Sequence, residues 1–286
     1  MNGRFFSPRQ KAATYFVAIA SAVAIFYLPF YLKLYTPAPP IFIPTSQLVN
    51  SIFCVGILVL CLIVGVVEDL EHRWKRGIEK GVSQFIRDLV DYVRTGVPLT
   101  IALKECAKNR YGPLSKELNR VVAKMMLGFD PEISIIDIAK MARTPLMDKV
   151  SILLVEVMRS GAKALNILQS FLTLHSALES YETEKETELK SYTWIMYVSF
   201  VVYLLTVYIL MTQLVTPLTL TEGFGEIVKG FRGIDFYKAI FFYCGVIEAI
   251  AAGLAIGKIS KGSMLTGLRH SALMLAVLIL VFTQLL

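Results

Sequence analysis

The sequence predicts an all-α, polytopic membrane protein with about five spans and one cytoplasmic helical bundle. Three observations lead there. The 286 residues are 55% hydrophobic with a mean hydropathy of +0.60, too apolar for an ordinary soluble domain. The charges are segregated: the section from Glu68 to Lys190 holds 19 Lys and Arg against 18 Asp and Glu, so most of the +7 surplus lies at the ends of apolar runs. Within that polar section, Gly and Pro recur at intervals of one short helix.

In chain order, Arg4, Arg9 and Lys11 precede an apolar run from Ala12 to Leu32. At about 1.5 Å per residue it crosses a ~30 Å hydrocarbon core. It is longer than the roughly 7–15 residues of a signal-peptide core, which favours a retained span over a cleaved leader. Pro29 is expected to kink or end its last turn. The stretch Lys33 to Gln47, with Pro37, Pro39, Pro40 and Pro44, reads as a short extended hairpin outside the membrane, and Leu48 to Val67 as the second span.

From Glu79 the apolar positions Val82, Phe85, Ile86, Leu89, Val90 and Val93 recur at helical steps and stop at Gly96, a helix-ending glycine. Pro98 then opens a helix to about Lys108, and Pro113 one to Leu127, ended by Gly128. Asp130-Pro131 and Thr144-Pro145 each place a capping residue before proline, starting two more helices, the second stopped at Gly161. A sixth starts near Lys163 and meets no glycine or proline before Pro217, so stalk and span read as one rod.

Tyr192 to Val215 is the third span, with Tyr192, Trp194 and Tyr197 at its entry, and Thr216 to Asp235 an outer loop. The fourth span is Phe236 to Gly257. Lys258 to His270 is a short basic loop, and Ser271 to Leu286 a short fifth span. The domains are therefore 1–67, a pair of transmembrane helices; 68–190, a six-helix bundle with its stalk; and 191–286, three spans at about 192–215, 236–257 and 271–286.

The distribution of Lys and Arg predicts a multi-pass protein of the cell membrane with its N-terminus inside and its C-terminus outside. Arg4, Arg9, Lys11, the Arg73 cluster, Lys258, Lys261 and Arg269 lie inside, and Lys33, Lys229, Arg232 and Lys238 outside. The pI near 9.1 belongs to these flanks, so no nucleic acid is expected as a partner.

Chemistry is sparse. Cys54, Cys61, Cys106 and Cys244 lack CxxC spacing, and His72, His175 and His270 lie on separate elements. His175 with Glu179 and Glu182 shares a helix face, but a histidine among leucines reads as a packing residue. With no Walker loop and no GxSxG, no catalytic, cofactor-binding or metal residue is assigned and no enzyme is expected. Glu248 is the exception, a carboxyl mid-way along the fourth span, where charge costs a few kcal/mol. It reads either as a group bonded to a neighbouring helix or as part of a proton or solute path. Beside it, Gly245, Ala249, Gly253 and Gly257 form a ridge for close helix packing.

The run Phe85-Ile-Arg-Asp-Leu-Val-Asp-Tyr-Val-Arg-Thr-Gly-Val-Pro-Leu99, then Ala102-Leu103, Tyr111-Gly-Pro-Leu-Ser115, Gly128, Glu156 to Gly161 and Tyr192 together resemble the F domain of type II secretion and type IV pilus platform proteins. The tail from Gly253 to Ser263, followed by Gly267-Leu-Arg-His270, resembles archaeal members, the archaellum and archaeal-pilus platforms. The resemblance implies a platform coupling a hexameric secretion ATPase to the insertion of pilin subunits. Arg73, Lys75, Arg76, Arg87 and Arg94 become candidates for the ATPase contact, and Gly96, Pro98, Leu99, Gly128 and Gly161 shape the bundle. Longer members carry two bundles and this chain shows one, which implies a second F-domain copy, by homodimer or from a sister chain. The alternatives are a small transporter using Glu248 or a membrane signalling subunit.

Overall fold

The structure is a computed structural model and describes residues 8–35, 37–38, 43–44, 46–142, 144–217 and 234–284. Helix α1 is Pro8–Tyr31 and keeps Pro29 inside its last turn. A minimal antiparallel hairpin pairs Pro37–Ala38 (β1) with Ile43–Pro44 (β2). Next come α2 (Gln47–Arg94), α3 (Leu99–Cys106), α4 (Pro113–Met126), α5 (Pro131–Ala142) and α6 (Pro145–Ser160). A 3₁₀ turn at Gly161–Lys163 leads into α7 (Ala164–Ile209), whose end is a π-helical turn, Leu210–Val215. Helices α8 (Ile234–Lys261) and α9 (Met264–Gln284) follow. The proposed outer loop, with Lys229 and Arg232, falls almost wholly outside the described residues, as does Arg4.

Two compact units emerge, one holding Leu70–Lys185 and the other Arg9–Asp69 with Glu186–Leu286. Helices α2 and α7 each contribute to both.

In the first unit the apolar face of α2 from Ile78 to Val90 packs with Leu103, Leu118, Ile138, Met147, Val150, Leu154 and Leu168, all buried. Water drives this core: every large side chain withdrawn from it contributes on the order of 2 kcal/mol. The helix ends follow the expected chemistry. Gly96, Gly128 and Gly161 adopt φ values of 84°, 87° and 51°, which side chains with a Cβ resist. The Thr144 hydroxyl accepts from the Met147 amide at 3.3 Å, and the Asp130 carboxylate from the Glu132 amide at 2.8 Å. Pro98 precedes α3 in extended conformation and Leu99 begins that helix, half-buried against the core.

Two expectations are corrected. The second span and the first bundle helix are one helix, because nothing between Val67 and Glu79 breaks it: no proline occurs, and the polar residues there sit on helix faces that accept them. Likewise Lys258 to His270 is not a loop. Helix α8 runs on to Lys261, the reversal uses only Gly262 (φ 69°) and Ser263, and α9 starts at Met264. The last helix is therefore 21 residues, not the shorter run from Ser271. Its charges are absorbed by pairing, described below.

Five helices are long and apolar enough to cross a membrane: Arg9–Tyr31, Gln47–Arg94, Ala164–Val215, Ile234–Lys261 and Met264–Gln284. In the second unit α8 and α9 lie backbone to backbone. A Cβ on Gly253 would collide with Ser271, one on Gly257 with the Gly267 backbone, and one on Gly267 with the Gly253 carbonyl. A Cβ on Gly245 would stand 2.6 Å from the Leu278 side chain, and Ala249 is fully buried. The predicted ridge is thus used within the chain, against α9.

Candidate functional site

The five basic residues proposed as a contact surface all lie on α2 but do not form a cluster. Arg73, Arg87 and Arg94 are exposed and, with exposed Lys80, recur every seven residues. That interval drifts only ~20° per step, so the four line one face over roughly 30 Å. Arg76, half-buried, sits between Arg73 and Lys80 on the same face, whereas Lys75 lies off it and pairs with Glu71 at 3.0 Å. Arg87 reaches Glu179 on α7 at 3.6 Å, leaving its guanidinium more than half exposed. Helix α2 thus presents a basic stripe along a bundle in which several charges are matched. Among these matches, Lys124 meets Asp137 at 2.6 Å, and hydrogen bonds from Arg159 hold the Glu132 carboxyl below its usual range.

The spacing of seven was visible in the sequence, but Lys80 enters the stripe only once α2 is known to be unbroken.

A second site was not anticipated. Glu68 and Asp69, adjacent on α2, gather groups from the other apolar helices of the same unit. Glu68 accepts from the Tyr15 hydroxyl and pairs with Lys11 at 2.6 Å, both on α1. Asp69, with its side chain 5% exposed, pairs with Lys261 of α8 and with Arg269 of α9 at 2.9 Å. One residue on, His270 Nδ1 and the Tyr197 hydroxyl of α7 form a hydrogen bond of 2.7 Å. At this level a Cβ on Gly65 would lie 2.5 Å from the Arg269 amide, so α2 and α9 touch at the backbone. A clasp of acid, base and hydroxyl groups therefore involves every one of the five apolar helices. Two carboxylates and three cations pair within it. No signal in the sequence pairs Asp69 with partners 192 and 200 residues away.

Other chemistry is similarly occupied. The His175 ring nitrogen bonds the Ser83 hydroxyl at 2.8 Å and its ring stacks on Phe171, while Glu179 serves Arg87. Among the described residues no group of three or more His, Cys, Asp or Glu is placed to hold a metal ion. Burial pushes the Cys106 thiol up to about 11, an unreactive sulfur rather than a nucleophile. Glu248 sits half-buried in the middle of α8, and no described residue hydrogen-bonds or ion-pairs with it.

Comparison with known proteins adds the family. Residues 85–212 match the family described as type II secretion system (T2SS), protein F. An uncharacterised protein of Methanocaldococcus jannaschii is 28% identical over 197 residues, 68% of this chain. The aligned part is 31% of that relative, so the chain spans about a third of its length. No solved structure matches. The matched segment begins inside the bundle core at Phe85 and ends within the third apolar helix, taking in the C-terminal end of α2 and every bundle helix after it. Over that segment the chain is similar to the type II secretion system F-domain family.

Proposed function

We propose that this protein is a membrane platform of a type IV pilus-like assembly or secretion machine, without catalysis of its own. Its bundle takes up the motion of a hexameric secretion ATPase, and its spans receive pilin subunits. The observation that carries the reading is the reach of the family match: it does not stop with the bundle but continues along α7 as far as residue 212 of the third apolar helix.

On this reading the bundle faces the cytoplasm, with the N-terminus inside and the C-terminus outside. The basic stripe Arg73, Lys80, Arg87 and Arg94 gives an acidic face of the ATPase a linear contact, and such exposed charges act more on association rate than on affinity. The archaeal source of the relative favours an archaeal pilus or archaellum. A second F domain comes from another copy of this chain or from a sister chain.

The test is capture of a hexameric secretion ATPase from the same organism by the detergent-solubilised full chain. Binding is expected, and reversing the stripe with Arg73→Glu, Lys80→Glu, Arg87→Glu and Arg94→Glu should lower the association rate about tenfold or more at low salt, with less effect at high salt. No binding by the intact chain, together with solute movement by the protein alone in vesicles, would overturn the reading in favour of a transporter.

A further inference from the structure

At one end of the span unit the helices leave a polar cavity between them. Gln47 and Asn50 line it from the start of α2, Asp235 and Lys238 from the start of α8, and Phe282 from near the end of α9, with Ala239 and Phe242 completing the wall. Asn50, Ala239, Phe242 and Phe282 are buried, whereas Asp235 is exposed, so the floor is closed and the acid stands at the rim. There is room inside for about one water-sized group.

The hydrogen bonding of this lining is incomplete. The Tyr243 hydroxyl donates to Asn50 Oδ1 at 2.9 Å, and Gln47 Nε2 donates to the Phe282 carbonyl. Each bond occupies one end of an amide and leaves the other. No described residue bonds Asn50 Nδ2, Gln47 Oε1 or the Asp235 carboxylate. Asn50 is only 3% exposed, and an amide hydrogen withdrawn that far from water is costly until it meets an acceptor. The cavity therefore offers one donor and two acceptors to whatever enters it.

We propose that this cavity binds a hydroxyl group, supplied by the glycerol or sugar headgroup of a membrane lipid. A hydroxyl oxygen is the size of a water molecule, and it accepts and donates at once, as Asn50 Nδ2 and Gln47 Oε1 together require. Turning the Asn50 amide over exchanges its donor for its acceptor and leaves the match intact. An ammonium has no lone pair for Asn50, and an ionised phosphodiester has no proton for Gln47. Asp235 and Lys238 bring opposite formal charges to the lining, so neither kind of ion is singled out.

Water shares the chemistry of a hydroxyl, and the rest of the lining decides between the two sources. The carbon walls of Ala239, Phe242 and Phe282 suit the carbon skeleton of a polyol, and the Asp235 carboxylate at the rim accepts a second hydroxyl from the neighbouring carbon. A single water meets the floor alone. The cavity also lies at the ends of three helices long and apolar enough to cross a membrane, which is the level of the headgroups. This inference is independent of the platform reading, and its test involves no ATPase.

The full chain is solubilised in an amine-oxide detergent, which carries no hydroxyl, and mixed with equal amounts of monoglucosyl diacylglycerol and phosphatidylcholine of the same acyl chains. Native mass spectrometry should show a one-to-one adduct with the glucosyl lipid in about tenfold excess over the phosphatidylcholine adduct, the worth of one or two hydrogen bonds. Asp235→Leu, an exposed change that breaks no bond to a described residue, should reduce that preference about fivefold. Ala239→Leu, which fills the cavity, should abolish it, and if that chain proves unstable Asp235→Leu alone decides. Equal adducts with the two lipids would mean that the cavity holds water only and would overturn the proposal. A glucosyl preference unchanged by Asp235→Leu would overturn it as well, by placing the lipid elsewhere.

Discussion

The two units of this chain both bury an apolar core but differ in where their glycines and polar groups lie. In the Leu70–Lys185 unit, large side chains such as Phe85, Leu89, Leu103 and Met147 fill the space between helices, and glycine is confined to helix ends or to the α2 contacts at Gly77 and Gly81. In the span unit, glycines lie in mid-helix at the closest contacts, and polar groups close the ends: the Glu68–Asp69 clasp at one, and Gln47 to the Phe282 carbonyl with Tyr243 to Asn50 at the other. The difference follows from the solvent. Water expels apolar side chains, so bulk stabilises the bundle. Lipid tails are as apolar as leucine, so spans gain from backbone proximity and from polar bonds.

This contrast can be broken most severely at Gly253. Gly253→Leu forces a branched side chain into the Ser271 backbone, and no rotamer relieves it, so the α8–α9 hairpin should fail to form. Loss of monodisperse protein after solubilisation checks this, while Gly96→Ala, with open space beyond its Cβ and only backbone strain, should cost about 1 kcal/mol. Next in size, Asp69→Ala removes the buried acid shared by Lys261 and Arg269, and because the Arg269 side chain is 47% exposed it should cost about 3 kcal/mol, the low end for a buried pair. Removing both cations together with the acid should recover much of that loss in thermal unfolding. Leu89→Ala in the bundle should cost about 3 kcal/mol through the cavity it leaves.

The smallest effect concerns Tyr111. Its buried hydroxyl donates to Asp88 at 2.6 Å, and burial followed by that bond raises its ionisation above the ordinary range. The folded bundle therefore keeps this proton after the unfolded chain, titrating near pH 10, has lost it. Stability present below that pH should decline as pH rises beyond it. Tyr111→Phe should lose about 1 kcal/mol at neutral pH and show a weaker alkaline decline in denaturant melts.

Much of the bundle was legible because its boundaries are local: Gly96, Gly128, Gly161, Pro113 and Thr144-Pro145 act through their own backbone and the next turn. The ridge on α8 was legible for the same reason, as four residues at one spacing, though its partner was not. The clasp was hidden because Asp69 read as the start of a polar segment, and Lys261 and Arg269 read as a loop that marks topology. Charges signal a loop only when each must find water for itself. Here they find one another. Helix α2 was divided in reading because hydropathy changes at Val67 while backbone propensity does not.

The Asp69 clasp also bears on how the protein is made. Its carboxylate enters the ribosomal tunnel nearly two hundred residues before Lys261 and Arg269 do. Throughout that interval the nascent chain carries the acid without the two cations that pair with it in the folded protein. A chain halted before the final hairpin would thus lack the closure that Lys261 and Arg269 give to the span unit.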